Sequence, residues 1–446
     1  MTADTITAAD IRINARWLIP VEPEAVVLEH QAVIIQGDRI AAVVSQAEAD
    51  RRFRTRETID LAHHAVLPGL INVHGHAAMS LFRGLADDLP LMTWLNDHIW
   101  PAEGAFVDEA FIADGTQLAM AEMLRTGTTT FSDMYFFPEI AAQAAHDMGM
   151  RAQISFPLLD FPTAWGSGPE EYLSKGAAFI EQWQDNTYIT PAIGPHAPYT
   201  VSDGPLTQAV ELSAATGAPI QIHLHETEFE VEDATGKNGQ RPVARMARLG
   251  LLGPNTQCVH MTQVDDEDLR AVADSGAHVI HCPESNLKLA SGLCPVQRLA
   301  DAGVNVAIGT DGAASNNDLD LFGELRTAAM IAKVVAGDAS ALSAHQALAM
   351  ATLNGAKALG RDHELGSLVA GKLADIIAVD LSDPFLQPVY DPASHLVYSN
   401  HGRAVSHSWI NGVPQLQDGK LTRIDVADLM LRVDSWKQRI RKQQAQ

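Results

Sequence analysis

The amino-acid sequence predicts an α/β fold: a (β/α)8 TIM barrel with a small β-sandwich domain formed by the N- and C-terminal segments. In the middle of the chain, apolar runs rich in β-branched residues alternate with helical stretches, a pattern typical of a parallel sheet covered by helices. At both ends, strand-like runs are separated by turn residues, and each end alone has too little apolar material for a core. We therefore expect a composite β-sandwich of residues 1–65 and 365–423, a barrel of residues 66–364 and a C-terminal helical tail of residues 424–446.

The two terminal segments share one pattern of short strands. Residues 11–59 contain apolar runs joined by turn residues such as Gly37 and Asp38, and the same pattern returns after Gly366. Pairing the two segments gives both of them a shared core. The predicted strands of this domain are residues 16–20, 32–36, 40–44, 374–380 and 405–412.

The middle of the chain gives eight strand–helix units, which is the number expected of a TIM barrel. A doubly wound open sheet is the alternative, but no GxGxxG motif follows any predicted strand, so nucleotide binding of that type is not indicated. The predicted strands are residues 66–73, 128–134, 151–156, 188–193, 219–223, 257–260, 278–281 and 305–310. The predicted helices include residues 109–125, 138–148, 170–185, 204–215, 243–249, 265–275, 319–335 and 344–359.

Composition limits the possible partners. The 446 residues are 46% hydrophobic and 19% charged, with a formal net charge of −24. This negative field repels phosphate backbones and anionic membranes, so we expect no nucleic-acid and no membrane partner, and a small neutral or zwitterionic substrate instead. The 3 cysteines are too few and too scattered for a disulfide framework. Without a leader-like start or a membrane-length apolar run, a cytoplasmic location is expected.

The stretch LPGLINVHGH, residues 67–76, begins as a buried strand and ends in His74 and His76. Residues i and i+2 of a strand lie on the same face, so the two imidazoles point the same way and form half of a zinc site. An isolated HxH pair is also typical of two exposed loop histidines. The remaining strands must therefore supply the other ligands.

Histidines and acidic residues recur at the carboxyl ends of five further predicted strands, which is where the chemistry of a TIM barrel lies. Any one of them alone has a simpler explanation as a core histidine or a helix cap. Six strands delivering such residues to one end of one barrel favour a functional site. The residues are His196 after the fourth strand, His223 and Glu226 after the fifth, His260 after the sixth, His281 and Glu284 after the seventh, and Asp311 after the eighth.

This arrangement resembles the amidohydrolase superfamily of metal-dependent barrels, and the resemblance covers nearly the whole chain. It rests on HxH at the first strand, histidines at the fifth and sixth, and aspartate at the eighth. The motifs PGLINVHGHAAMSLFRG, HLHETEFE, HCPESNLKLASG and GTDGAASNN are similar to the branch that holds triazine hydrolases and aminohydrolases. Within that branch they look most like the 5-methylthioadenosine/S-adenosylhomocysteine deaminases.

The resemblance implies one zinc ion per subunit, bound by His74, His76, His223 and Asp311, with a position open for water. A second metal in such barrels usually requires a bridging carboxylated lysine on the fourth strand. Residues 188–193 contain no lysine, so a single metal is expected.

The reaction that the resemblance implies is zinc-dependent hydrolytic deamination of an adenine nucleoside at C6. Glu226, at the HxxE spacing from His223, is then the general acid/base, while His260 and Asp311 orient the water and relay a proton. The alternative for His260 is a fifth metal ligand or a core histidine. The alternative for Glu226 is a surface position in an acidic run with Glu228, Glu230, Glu232 and Asp233.

The resemblance also implies the substrate contacts. Glu103 matches the glutamate that accepts hydrogen bonds from the ribose hydroxyls, and His196 matches a histidine that touches the nucleoside; Glu226 and Asp311 meet the reacting ring. The loops that carry Ser285, Asn286 and Ser315 offer further contacts to the ring.

Met92, Trp94 and Leu95 precede Glu103 in an amphipathic stretch. They form either an apolar lid over a thioether or simply part of the core of the first helix.

The sequence departs from the pattern of relatives that accept S-adenosylhomocysteine, which carry arginines after the third strand. Residues 151–161 read RAQISFPLLDF, with Arg151 at the opposite end of the strand and apolar residues downstream. A missing guanidinium removes a bidentate contact to a carboxylate. We therefore expect a preference for 5-methylthioadenosine, and for adenosine, over S-adenosylhomocysteine.

Two other functions stay open at the level of sequence. One is a guanine, 8-oxoguanine or triazine amino- or chlorohydrolase, which has no ribose for Glu103 to hold. The other is an inactive scaffold barrel, although such a protein typically loses its metal ligands. A homo-oligomer, a dimer or a tetramer, is the expected assembly.

Overall fold

The computed structural model describes residues 6–400 and 402–444. The N-terminal segment forms four strands rather than three. The fourth is 16 residues long and pairs in parallel with the first, with Ile13 opposite Ile59. The strands are β1 (Thr7–Leu18), β2 (Leu28–Gln36), β3 (Arg39–Ser45) and β4 (Phe53–Pro68).

Eight parallel strands then form the barrel, each paired with the next along the chain. A backbone hydrogen bond from Val73 N to Ile308 O, 3.0 Å long, joins the first strand to the last. The predicted (β/α)8 architecture is confirmed. The strands are β5 (Leu70–Asn72), β6 (Thr128–Met134), β7 (Arg151–Leu158), β8 (Ile189–Pro195), β9 (Ile220–Leu224), β10 (Thr256–His260), β11 (His278–His281) and β12 (Val306–Ile308).

Most of the helices lie between these strands. Two have the predicted bounds, Glu109–Arg125 and Pro138–Met148, whereas the predicted helix 344–359 is divided into Ala344–Met350 and Leu353–Ala358. The other α-helices are Gln46–Arg52, Leu91–Thr93, Trp100–Phe106, Pro169–Trp183, Asp203–Thr216, Glu228–Asn238, Pro242–Arg248, Asp266–Ser275, Pro283–Lys288, Val296–Asp301, Leu321–Ala336, Pro392–Tyr398 and Val426–Gln444. Trp94–Ile99 is π-helical, and Ala77–Phe82 and Pro384–Leu386 are 3-10 turns.

The first barrel strand is shorter than predicted because the chain changes sheets at Gly69. Val66–Pro68 of the predicted strand belongs to β4, and β5 begins at Leu70. A Cβ built on Gly69 would lie 2.0 Å from the Thr129 Oγ1 atom, so only glycine allows this close approach to β6.

The C-terminal segment adds β13 (Ile376–Asp380), β14 (Val405–Ile410), β15 (Val413–Gln417) and β16 (Lys420–Leu421). Strand β13 pairs antiparallel with β4, with Ile377 opposite Leu67. The two ends therefore form one β-domain, as expected. Hydrogen bonds join all its strands into one mixed sheet in the order β16-β15-β14-β13-β4-β1-β2-β3.

The last helix, Val426–Gln444, packs on helix Glu109–Arg125. Trp436 is buried in this contact, and its indole Nε1 donates to Asp114 Oδ2 at 2.8 Å. The tail therefore covers one barrel helix. Among the helices of residues 6–400 and 402–444, none has the length and apolarity that a membrane crossing requires.

Candidate active site

Four side chains converge at the carboxyl end of the barrel. His74 and His76 follow β5, His223 lies on β9, and Asp311 lies in the loop that follows β12. One donor atom from each of the four lies within 4.8 Å of all the others. The Asp311 Oδ1 atom is 3.1 Å from His76 Nε2 and 3.5 Å from His74 Nε2. The structure thus brings together the four residues predicted as metal ligands.

The three histidines are held in one tautomer. A hydrogen-bond acceptor faces each Nδ1 atom: Gln221 Oε1 at 2.8 Å from His74, the Met134 carbonyl at 2.6 Å from His76, and the His196 carbonyl at 2.6 Å from His223. A carbonyl oxygen only accepts, so each Nδ1 carries a proton and each Nε2 is the nitrogen left to bind a metal. Burial and the neighbouring imidazoles lower the pKa of His223 well below its usual value, which keeps this imidazole neutral.

The donor set fits a divalent metal. The Nε2 atom of His74 is buried and has no hydrogen-bond partner within the described part of the chain. Such an atom is costly to bury unless a ligand satisfies it. Three neutral imidazole nitrogens and one carboxylate oxygen suit a borderline cation such as zinc.

Asp311 is held by the loops on which ring contacts were expected. The hydroxyls of Ser285 and Ser315 donate to Asp311 Oδ2 at 2.6 and 2.9 Å, and Gly312 N donates to Asp311 Oδ1 at 2.8 Å. Ser285 and Ser315 therefore orient the carboxylate. Asn286 Oδ1 lies 2.8 Å from the Nδ1 atom of His260, so this residue too supports a site side chain.

Glu226 and His260 lie side by side next to the four-donor cluster. The His260 Nε2 atom is 3.9 Å from Glu226 Oε1, and the rings of His260 and His223 stack with centroids 5.5 Å apart. Glu226 is buried, which contradicts the surface alternative for this residue. Burial and the nearby charge of Asp311 raise the pKa of Glu226 to about 8, so its carboxyl carries a proton at neutral pH.

One cavity of about 220 Å³ opens beside these side chains. Its walls include His76, His223, Glu226, His260 and Asp311. Apolar residues from the segment 91–107 and from the loop after β7 form much of the remaining wall. These apolar residues include Leu91, Trp94, Leu95, Ile99, Trp100, Val107, Leu159, Phe161 and Pro162.

Glu103 faces the same cavity and is held by a residue that the sequence did not single out. The Tyr135 hydroxyl donates to Glu103 Oε1 at 2.7 Å. Burial raises the pKa of Glu103 to about 7, although the Tyr135 hydrogen bond opposes this shift. Within the described residues Oε1 of this half-buried side chain has a hydrogen-bond partner, and its second oxygen is left open to a ligand.

His196, the other predicted substrate contact, also lines the cavity. Its Nδ1 atom lies 3.0 Å from Thr200 Oγ1. Burial and the neighbouring histidines lower its pKa to about 4, so His196 is a neutral imidazole at physiological pH.

The apolar stretch before Glu103 belongs to the core, and part of it also faces the cavity. Trp94 and Leu95 line the cavity and are also buried in the core. Met92 packs on the core and is not among the cavity-lining residues.

Arg151 lies at the opposite end of the barrel from the cavity. It is buried, and its Nε donates to Asp375 Oδ2 at 3.2 Å and its Nη2 to Asn411 Oδ1 at 2.6 Å. It joins the barrel to the β-domain. Among the described residues, neither an arginine nor a lysine lines the cavity.

A family model described as the amidohydrolase family matches residues 65–414. The chain belongs to the amidohydrolase family. It is 53% identical over 439 residues to a 5-methylthioadenosine/S-adenosylhomocysteine deaminase of Saccharophagus degradans, with 98% of both chains covered. It is 41% identical over 422 residues to a 5'-deoxyadenosine deaminase of Methanosarcina mazei, with 94% of this chain and 95% of that one covered.

Solved structures of an adenosine deaminase and of an atrazine chlorohydrolase have the same fold. A crystal structure of an adenosine deaminase from Xanthomonas campestris with bound zinc superimposes with a TM-score of 0.97 at 46% identity, covering 98% of this chain and 100% of that one. An atrazine chlorohydrolase from Arthrobacter aurescens, complexed with zinc, has a TM-score of 0.89 at 22% identity, covering 96% and 99%. At that low identity the likeness shows the fold alone.

Sequence reasoning missed the residues that orient the site of this amidohydrolase. Gln221 holds His74, and Tyr135 holds Glu103. A signal existed for Gln221, because it lies two residues before His223 on a buried strand and therefore shares its face. No local pattern marks Tyr135, which approaches Glu103 only through the fold.

Proposed function

We propose that this amidohydrolase catalyses the zinc-dependent hydrolytic deamination of adenine nucleosides at C6, with 5-methylthioadenosine as the preferred substrate. One observation carries the proposal: a four-donor metal cluster, the protonated Glu226 and the ribose-binding candidate Glu103 all face a single apolar cavity. The names of full-length relatives at 53% and 41% identity support the same substrate class.

His74, His76, His223 and Asp311 hold one zinc ion in this proposal. When bound, zinc activates water as a nucleophile at neutral pH. Two observations support a single zinc: the crystal structure at 46% identity contains zinc, and β8, with the sequence ITPAIGP, has no lysine to bridge a second metal.

Glu226 is the proton donor and shuttle. It gives its proton to N1 of the adenine while the water oxygen bonds to C6, which removes electron density from the ring at the moment of attack. It then moves the proton of the new C6 hydroxyl to the amino nitrogen, so that the C6–N bond breaks and ammonia leaves. The raised pKa of Glu226 supports this role, because the residue starts in the protonated form.

One proton of the water stays on the new C6 hydroxyl. The pair of His260 and Asp311 takes up the second proton. The Nε2 atom of His260 lies 3.9 Å from Glu226 Oε1, so acceptor and donor flank the same reacting centre. Exchange with solvent returns this proton to Glu226 after the product leaves, and the cycle closes with water consumed and ammonia released.

The remaining contacts determine which nucleoside the cavity prefers. Glu103 accepts hydrogen bonds from the ribose hydroxyls, and the neutral His196 contacts the nucleoside. The apolar wall formed by Trp94, Leu95 and Phe161 suits a methylthio group. Since neither an arginine nor a lysine among the described residues lines the cavity, the carboxylate of S-adenosylhomocysteine finds no guanidinium or ammonium partner there.

The test is to incubate the purified zinc enzyme with 5-methylthioadenosine, 5'-deoxyadenosine, adenosine, S-adenosylhomocysteine and guanine in parallel, following the purine absorbance. We expect the highest kcat/KM for 5-methylthioadenosine, loss of activity with a chelator and recovery with zinc. Equal kcat/KM for 5-methylthioadenosine and S-adenosylhomocysteine would contradict the stated preference. Turnover of guanine alone, unaffected by Glu103→Ala, would instead support a base or triazine hydrolase.

The predicted homo-oligomer, a dimer or a tetramer, belongs to the same proposal. Size-exclusion chromatography with light scattering measures the mass of the purified enzyme. A monomer at the concentrations used for catalysis would contradict the predicted oligomer.

A further inference from the structure

Of the four acidic residues that follow Glu226 in the acidic run, Glu230 is the one that is buried. Glu228 and Glu232 are exposed, whereas Glu230 is only 4% exposed although it lies on the same helix, Glu228–Asn238. A glutamate is almost never buried without partners. Its partners therefore indicate what it does.

Both carboxylate oxygens of Glu230 bind the backbone of the two residues that follow β9. The His225 N–H donates to Glu230 Oε1 at 3.0 Å, and the Glu226 N–H donates to Glu230 Oε2 at 2.9 Å. His225 has a φ of 53°, a left-handed conformation that costs energy for a residue other than glycine. One buried side chain thus holds two consecutive amides in a strained turn.

The far side of the same turn is fixed by other residues. The Thr262 hydroxyl donates to the Glu226 carbonyl oxygen at 2.8 Å. The imidazole of His225 is held at both nitrogens, since Val243 N–H donates to Nε2 at 3.1 Å and Nδ1 lies 2.9 Å from the Gln263 carbonyl. The backbone of Glu226 is therefore clamped at its nitrogen and at its oxygen.

The side chain of Glu226 has no comparable support. Within the described residues, no hydrogen bond to its carboxyl oxygens is present, and the nearest imidazole nitrogen, His260 Nε2, is 3.9 Å away. The direction of the Glu226 carboxyl is therefore set by its backbone, and the backbone is set by Glu230 and Thr262.

We propose that Glu230 is a positioning residue of the deamination, which aims the proton-donating carboxyl of Glu226 by binding both amide groups of its turn. This inference rests on the proposed function, because it takes Glu226 as the donor. Glutamine at position 230 has nearly the same size but only one acceptor oxygen. Its NH₂ group would face a backbone N–H, so one of the two hydrogen bonds is lost.

The experiment compares Glu230→Gln with the matched surface variant Glu232→Gln, both as zinc-loaded enzymes. Each is assayed on the proposed nucleoside and on its 6-chloro analogue. The amino group must gain a proton before it leaves, whereas chloride leaves without one. A misaimed donor therefore slows the amino substrate more than the chloro substrate.

For Glu230→Gln we expect kcat on the amino substrate to fall at least tenfold, with KM within about twofold, zinc content unchanged and a smaller fall on the chloro substrate. Glu232→Gln should match the wild type. An equal fall on both substrates, or an unchanged kcat, overturns the inference. If Glu230→Gln does not fold, Glu230→Asp, which shortens the reach by one methylene, should give the same split between the substrates.

The proposed function and this inference fail in different ways. A wild-type enzyme that deaminates no adenine nucleoside overturns both. An active wild type with an unaffected Glu230→Gln variant overturns the inference alone.

Discussion

The Tyr135 hydroxyl donates a hydrogen bond to Glu103 Oε1 at 2.7 Å, joining the end of β6 to the helix that covers the cavity. This bond fixes the carboxyl of Glu103 and leaves its second oxygen for the ribose in the proposed substrate complex. Tyr135→Phe should therefore raise KM for 5-methylthioadenosine about tenfold, since one hydrogen bond to a charged group contributes about 1.5–3 kcal/mol.

The measurement is the ratio of kcat/KM for 5-methylthioadenosine and its 2',3'-dideoxy analogue, which should fall in Tyr135→Phe. Tyr390→Phe, at a position 91% exposed, serves as the control and should leave the ratio unchanged. A ratio equal to that of the wild type in Tyr135→Phe would show that Tyr135 does not orient Glu103 for the ribose.

The Gln221 amide oxygen, 2.8 Å from His74 Nδ1, should matter for metal affinity. The same amide donates to the Val73 carbonyl at 2.8 Å, so its orientation is fixed. Loss of such a support typically lowers metal affinity about ten- to a hundredfold. We expect Gln221→Leu to show this loss in a competition titration with a chelator, and the exposed Gln143→Leu to show none. Equal affinities would contradict the role of Gln221.

The raised pKa of Glu226 predicts the alkaline side of the pH profile. Burial and the charge of Asp311 raise this pKa to about 8, and the protonated form is the proposed proton donor. Therefore kcat/KM should fall about tenfold per pH unit once the pH exceeds the pKa of Glu226. A bound divalent cation lowers the pKa of Glu226, so the fall in kcat/KM begins at a lower pH but is still a fall with rising pH. Glu226→Gln should abolish turnover, and a rate that rises steadily to pH 10 would exclude Glu226 as the acid.

An arginine introduced into the apolar loop after β7 should allow the enzyme to bind the carboxylate of S-adenosylhomocysteine. Phe161 lines the cavity and is 38% exposed, so an arginine there has room to meet the amino-acid end of S-adenosylhomocysteine. A charge-assisted hydrogen bond contributes about 1.5–3 kcal/mol, which corresponds to about a ten- to a hundredfold gain in kcat/KM for that substrate. Phe161→Met is the uncharged control. An equal gain in both variants would indicate relieved crowding rather than charge.

The C-terminal helix should contribute to stability without affecting catalysis. Trp436 is 4% exposed, packs at 5.3 Å between ring centroids against Phe111, and donates to Asp114. Trp436→Ala should lower the free energy of unfolding by about 3 kcal/mol, the usual cost of such a truncation. Denaturant unfolding measures it, with the exposed Lys442→Ala as the control. Steady-state constants of the folded variant should match the wild type.

The barrel and most of its metal cluster could be predicted because their signals are local. Apolar runs mark buried strands, and the rule that chemistry lies at the carboxyl ends of the strands brings His74, His223 and Asp311 to one place without any coordinates. The break at Gly69 and the length of β4 were not predictable in this way. They depend on which sheet each residue joins, and an apolar run does not distinguish two sheets.

The supports of the site were decided by the tertiary structure alone. Ser285 and Ser315, which the sequence offers as further contacts to the substrate ring, bind Asp311, and Glu230 stands in the sequence as one more carboxylate of an acidic run. The sequence by itself determined the fold class, the donor types and the reaction that they suit. Only the tertiary structure decided which polar groups hold those donors, because a hydrogen bond between distant residues depends on distances of a few tenths of an ångström that no local pattern encodes.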